Sequence, residues 1–265
     1  MRFTDTLATR LYFEDRGSGP ALLLVHGHPF DHTMWQPQID RFSLTHRVIA
    51  PDLRGYGTTP LGATTGITGL GDFAEDLVAL LDDLGIEEAV VAGLSMGGQI
   101  AMELHRRHPE RVRGLVLADT FPAAETEEGK AVRNAMADRL LKEGMQGYAD
   151  EVLDRMVAPY NTHAAPHVHR MMCATDPAGA AAALRGRAER PDYRESLTTV
   201  AVPALVVVGR DDTYTPVEDA EEMHALLPDS TLAVIERAAH LPNLERPEEF
   251  DAVLDSYLRS LVRLN

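Results

Sequence analysis

VAGLSMGG, residues 91–98, closes an apolar run on a serine set between glycines, Gly93-Leu94-Ser95-Met96-Gly97. AVVAG (89–93) has the small and β-branched composition of a buried strand. GGQIAMELHRR (97–107) reads as a helix that stops before Pro109. A serine on a sharp strand-to-helix turn, with glycines that let neighbouring backbone come close, is the pattern of a nucleophile elbow. The helix also brings its positive N-terminal end near the serine oxygen. Small residues cluster in many turns, however, so the pentapeptide alone leaves Ser95 as either a nucleophile or a turn residue.

Working outward, short apolar runs alternate with longer amphipathic ones. ALLLVHG (21–27), HRVIAPDLRGYG (46–57), GLVLAD (114–119), ALVVVG (204–209) and TLAVIE (231–236) read as strands or strand-plus-loop. GDFAEDLVALLDDLG (71–85) places Phe73, Leu77, Leu80, Leu81 and Leu84 at helical spacing and stops at Gly85. EDAEEMHALLP and PEEFDAVLDSYLRSLVRL read as helices. This alternation predicts a mostly parallel sheet covered on both faces. It fails between about residues 122 and 195, where methionines and alanines occur among arginines and histidines with no convincing strand. That stretch is expected to be short helices inserted after a strand's C-terminal end. There they would cap the crevice in which open α/β sheets bind ligands. Its methionines and alanines suggest a largely apolar pocket, although methionine also fills irregular gaps in ordinary helical packing.

A serine hydroxyl needs a base within hydrogen-bond reach, and the base needs an orienting acid. In a sheet of this kind these partners follow the serine in the order acid, then histidine, each just past a strand. Asp211 and Asp212 follow ALVVVG, and His240 follows TLAVIE. The loop after ALLLV reads HGHPFDHTMW, so the backbone N–H groups of His28 and Met96 are candidate oxyanion donors. His26 is read as a loop residue held by packing and hydrogen bonds.

Together, HGHPFDHTMW, PDLRGYG, GLSMGG, GRDDTYTP and AAHLPNLERPEEF resemble the α/β-hydrolase fold superfamily. The likeness is closest to small cap-bearing bacterial esterases, 3-oxoadipate enol-lactonase-like hydrolases and cofactor-free haloperoxidases, and it runs from residue 21 to residue 250. The resemblance implies an α/β-hydrolase sheet of about eight strands flanked by helices, with a helical cap after the sixth strand. Residues 1–121 and 196–265 would form the core and residues 122–195 the cap. It implies Ser95 as nucleophile, Asp212 as acid and His240 as base, with His28 and Met96 at the oxyanion hole. Asp212 is preferred to Asp211 by its spacing from Gly209 and Pro216. Some relatives carry the acid after the preceding sheet strand, where this chain has Asp119. Serine at 95 disfavours the relatives that attack with aspartate. The expected reaction is hydrolysis of a carboxylic ester or lactone of a small to medium, largely apolar substrate through an acyl-enzyme. Carbon–carbon bond hydrolysis, perhydrolysis and non-catalytic ligand binding are the alternatives on the same framework.

Composition narrows the partners. The chain has 265 residues, 25 Lys+Arg and 41 Asp+Glu, a net charge of −16 that repels nucleic acid and anionic membranes. No apolar run approaches the roughly 20 residues of a membrane span, and the N-terminus lacks the pattern of a secretory leader. A cytoplasmic protein acting on a small molecule, as monomer or homo-oligomer, is therefore expected. Cys173, the one cysteine, is read as a small buried hydrophobe. His163, His167 and His169 lack companions at metal-ligand spacing. No phosphate-binding glycine loop is found. Neither cofactor nor metal is expected. Asp52 and Arg54 are read as holding the PDLRGYG loop.

Overall fold

The computed structural model describes residues 2–3, 10–63 and 65–262. Eight strands form one sheet: β1 (Arg2–Phe3), β2 (Tyr12–Arg16), β3 (Ala21–Val25), β4 (Arg47–Pro51), β5 (Ala89–Leu94), β6 (Val112–Ala118), β7 (Ala204–Gly209) and β8 (Ser230–Ile235). Their spatial order is β1-β2-β4-β3-β5-β6-β7-β8. The β1–β2 and β2–β4 pairs are antiparallel and the others parallel. The central strands read as unbroken apolar runs because both faces are covered. Leu23, Val91 and Val206 point into one core, while their neighbours Leu22, Val90 and Leu205 point into the other.

Helices α1 (Gln36–Phe42), α2 (Leu70–Asp83), α3 (Met96–Arg107), α9 (Val217–Leu226), α10 (Pro242–Glu245) and α11 (Pro247–Val262) flank the sheet. Phe73, Leu77, Ile100 and Met223 close one core, and Ile39, Phe250 and Leu254 close the other. Gly85, at φ +63, ends α2 as its glycine suggested. The expected C-terminal helix is present to Val262; its last two residues, 263–264, lie outside the described residues. Most of residues 1–9, read above for a leader pattern, also lie outside them.

Between β6 and β7 run α4 (Glu127–Glu143), α5 (Gln146–Met156), α6 (Ala165–Ala174), α7 (Pro177–Ala188) and α8 (Arg194–Leu197). Helices α4 and α7 share a small core of their own, built on Ala137, Leu140, Ala180, Ala181 and Leu184. Val168 and Met172 of α6 instead join the core under α11. Among the described residues no helix is long and apolar enough to cross a membrane.

Candidate active site

Ser95 sits between β5 and α3 at φ 57°, ψ −117°. This region is costly for any residue with a side chain, of order 1–3 kcal/mol. Two hydrogen bonds hold the strain in place. The Ser95 N–H donates to Ala118 O at 2.9 Å, and Thr120 Oγ1 donates to Ser95 O at 2.8 Å. The flanking glycines are required by close approach. A Cβ on Gly93 would lie 2.1 Å from Gly97 O, and one on Gly97 would lie 2.1 Å from Val25 O. Met96 opens α3, so its N–H has no carbonyl partner within the helix. The β3–α1 loop reaches the same point, since a Cβ on Gly27 would be 3.3 Å from Ser95 Cβ.

His240 and Asp212, both buried, meet across the β7 and β8 loops, with Nδ1 2.7 Å from Oδ2. Asp212 Oδ1 accepts the N–H groups of Tyr214 at 2.7 Å and Thr215 at 3.2 Å, and the Thr215 hydroxyl donates to Oδ2. Burial alone would raise the Asp212 pKa. The charge and hydrogen bond of His240, with the Thr215 hydroxyl and the Tyr214 N–H, outweigh it and hold the carboxyl below its ordinary value. Asp119, at the end of β6, is the second carboxyl here. Ligand-type atoms of Asp119, Asp212 and His240 all lie within 4.8 Å of one another. Asp119 Oδ1 accepts the Gly209 N–H at 2.8 Å, and Oδ2 receives no donor. Burial, then the charge of Asp212, push its pKa well up. Asp211 points elsewhere, accepting the hydroxyl of Tyr160.

Glu245, buried in α10, escaped the sequence reading. Its Oε1 accepts the N–H groups of Ala239 and Leu241, the two neighbours of His240, at 2.9 and 3.2 Å. Its Oε2 accepts Ala158 N–H at 2.9 Å and Asn161 Nδ2 at 2.7 Å. One carboxyl thus clamps the histidine loop to the helical insert. Its only sequence signal was a carboxylate directly after an apolar residue in HLPNLERP.

A cavity of about 180 Å³ opens over Ser95 and His240, walled by His28 and by residues of the insert. The expectation of a largely apolar lining is met by Met156 and Leu184. It fails at Arg133, Tyr148 and Arg187, which line the same space. His28 Nδ1 lies 2.8 Å from Tyr56 Oη, and its Nε2 has no partner. Burial, then the Arg187 and Arg133 cations, press the His28 pKa well down, so the ring is neutral. Arg187 was missed because its neighbourhood was read for methionine and alanine. No local signal separated it from Arg185 on the same helix, which is more exposed and pairs with Asp138.

The remaining candidates serve the scaffold. His26 Nε2 accepts the Leu53 N–H at 3.0 Å while Nδ1 donates to Gly27 O at 2.8 Å, which ties two loops together. Asp52 holds the PDLRGYG loop by accepting His32 Nδ1 at 2.6 Å and Thr58 N–H at 2.7 Å, and Arg54 pairs with Asp76. His167 contacts Thr33, and His169 lies 2.7 Å from Asp150. Cys173 is half-buried rather than buried, with its thiol pKa raised by burial and by Asp150. Asp31, His32 and Asp52 also bring ligand-type atoms together. Those of Asp31 and Asp52 are committed to capping Thr33 and to the loop contacts just described.

A model described as Alpha/beta hydrolase family matches residues 22–253. 3-Oxoadipate enol-lactonase 1 of Acinetobacter baylyi is 30% identical over 250 residues, covering 92% of this chain and 90% of the relative. The pimeloyl-[acyl-carrier protein] methyl ester esterase of Aliivibrio salmonicida is 29% identical, covering 96% and 97%. A thermophilic esterase from Thermogutta terrifontis, solved with malate bound, superposes with a TM-score of 0.94 at 36% identity, covering 98% of each chain.

Proposed function

Because the chain belongs to the alpha/beta hydrolase family, we propose that it cleaves a carboxylic ester or lactone of a small molecule through an acyl-enzyme on Ser95. The observation that carries this reading is the strained serine sharing one cavity wall with a buried His240–Asp212 pair. His240 Nε2 takes the hydroxyl proton as Ser95 Oγ attacks the carbonyl carbon. Asp212 holds the Nδ1–H and stabilises the imidazolium that forms. The N–H groups of His28 and Met96 receive the oxyanion, each such donor contributing about 3–4 kcal/mol to the transition state. His240 then returns the proton to the leaving oxygen. The same base deprotonates a water that attacks the acyl-enzyme and frees Ser95. The esterase and enol-lactonase relatives support this bond class.

Residues 122–195 act in this reading as a cap on a core of 1–121 and 196–265. The support is that α4, α5 and α7 supply Arg133, Tyr148, Met156, Leu184 and Arg187 to the cavity. The test is turnover of p-nitrophenyl esters, acetate through octanoate, with Ser95→Ala beside the wild type. Loss of about 10⁴- to 10⁶-fold with an unchanged melting temperature is expected. Undiminished turnover in Ser95→Ala would overturn the reading.

A further inference from the structure

The insert's share of the cavity wall holds more positive charge than its surroundings balance. Arg133, Arg187 and Arg190 lie together, and a single carboxylate, Glu125, pairs with Arg133 and with Arg190 at 2.9 Å. Arg187 is left over. Its Nε donates to Gln99 Oε1 at 3.1 Å, and among the described residues no carboxylate lies within ion-pairing distance of it. The residue is 7% exposed and lines the cavity that holds Ser95 and His240. Arg185, two positions earlier on the same helix, is the internal control: it is more exposed and pairs with Asp138 at 2.6 Å. Partly exposed arginines such as Arg139 and Arg185 find carboxylates nearby, which a chain carrying −16 overall offers in excess. The buried guanidinium in the cavity does not.

The fold fixes Arg187 in place. Helix α7 lies against the 52–69 loop at two glycines: a Cβ on Gly179 would meet Gly55 O at 1.9 Å, and one on Gly186 would meet Thr68 O at 1.7 Å. Thr68 N–H also donates to Ala182 O at 3.0 Å. The helix cannot roll or withdraw without breaking these contacts, so the arginine beside Gly186 is held over the site. The negative C-terminal end of α7 offsets part of the charge, but burial, Arg133 and Arg190 still press the Arg187 pKa well down. A guanidinium nevertheless stays protonated in proteins. A buried, unmatched cation is costly to keep and is expected where it meets a ligand of opposite charge.

We propose that Arg187 is the specificity residue for a carboxylate on the substrate, so that the preferred substrate is a small ester or lactone carrying a second, ionised acid group. Planar guanidinium matches carboxylate with paired N–H···O bonds, and Arg133 adds a second positive charge on the same wall. The volume of about 180 Å³ lies below the usual range for drug-sized ligands, which points to short-chain half-esters of dicarboxylic acids. This rests on the hydrolase reading for the reaction, but not for the binding of the anion.

The experiment pairs each anionic half-ester with a neutral ester of matching shape, isopropyl in place of carboxylate: monomethyl succinate against methyl 4-methylpentanoate, and monomethyl glutarate against methyl 5-methylhexanoate. Wild type should favour the anionic ester in kcat/KM by at least about 10-fold. Arg187→Met should lower that ratio by about 100-fold, mainly through KM of the anionic ester, and Arg187→Lys should restore part of it. If Arg187 served only to stabilise the oxyanion, both esters would fall together in kcat, and the proposal would fail. Thermal shift with succinate gives a readout independent of turnover. It should raise the melting temperature of wild type and of Ser95→Ala, but not of Arg187→Met. Neutral esters turned over with no anionic preference and no succinate shift would overturn the anion site alone. A succinate shift with no hydrolysis of any ester would overturn the hydrolase reading and leave the anion site standing.

Discussion

The two walls of the cavity are built on opposite principles. On the sheet side, Asp212 accepts four hydrogen bonds and Glu245 another four, so the histidine loop is pinned from both flanks. On the insert side, Arg187 has one hydrogen bond, to Gln99 of the core, and Arg190 Nη2 has none. The first wall is pre-organised, which suits groups that must hold one geometry through a reaction. The second carries unmatched polar groups, which suits a surface that discriminates between ligands, because an unpaired buried group penalises the wrong one. On the proposed reading, reaction class and selectivity are carried by different parts of the chain.

The sharpest break of this comparison lies within the sheet-side wall. Asp212→Asn should lower kcat/KM by about 10⁴-fold, through loss of the correct imidazole tautomer. Asp119→Asn should stay within about 10-fold, because Oδ1 can still accept the Gly209 N–H. Equal losses would mean that His240 draws on both carboxyls.

A smaller effect tests the clamp. Glu245→Gln keeps the shape of the side chain but turns one end into a donor facing donors. It should cost about 1–3 kcal/mol in urea denaturation. A value near zero would remove Glu245 from the sheet-side framework.

On the insert side the sign should reverse. Arg187→Met removes an unmatched buried charge and should be neutral or stabilising, within about 2 kcal/mol. A loss above about 3 kcal/mol would make Arg187 a structural residue and erase the contrast between the walls.

The smallest effect is read against pH. Asp119 has a folded pKa raised above its unfolded value near 3.8. Its contribution to stability is therefore full below that value and is lost as pH rises through the folded pKa. Asp212, with a lowered folded pKa, contributes above 3.8 and loses that contribution as pH falls through its folded value. Asp119→Asn should accordingly gain stability relative to wild type as pH rises from 3.8 through the folded value. Parallel stability curves for the two proteins would mean that Asp119 is not perturbed.

Much of this was legible in the sequence, for local reasons. The central strands announced themselves because parallel strands buried on both faces are unbroken apolar runs. The elbow announced itself because its geometry is set within five residues. Strand β2 did not, since YFEDR (12–16) mixes charge into an antiparallel position where Asp15 pairs with Arg47. The insert read as apolar because its alanines and methionines outnumber its arginines, and burial of a particular arginine is not a local property.

The sequence by itself determined the strands β3 to β8 and most of the helices between them, the turn at Ser95 and the loops that carry Asp212 and His240. Each follows from spacing along the chain. Only the tertiary structure decided that His240 pairs with Asp212 rather than Asp119, that Glu245 clamps the histidine loop, and that Arg187 lines the serine's cavity with no carboxylate partner among the described residues. Those facts depend on which residues, distant in sequence, exclude water from one another. Charge and hydrogen-bond energies are set by that exclusion rather than by residue type.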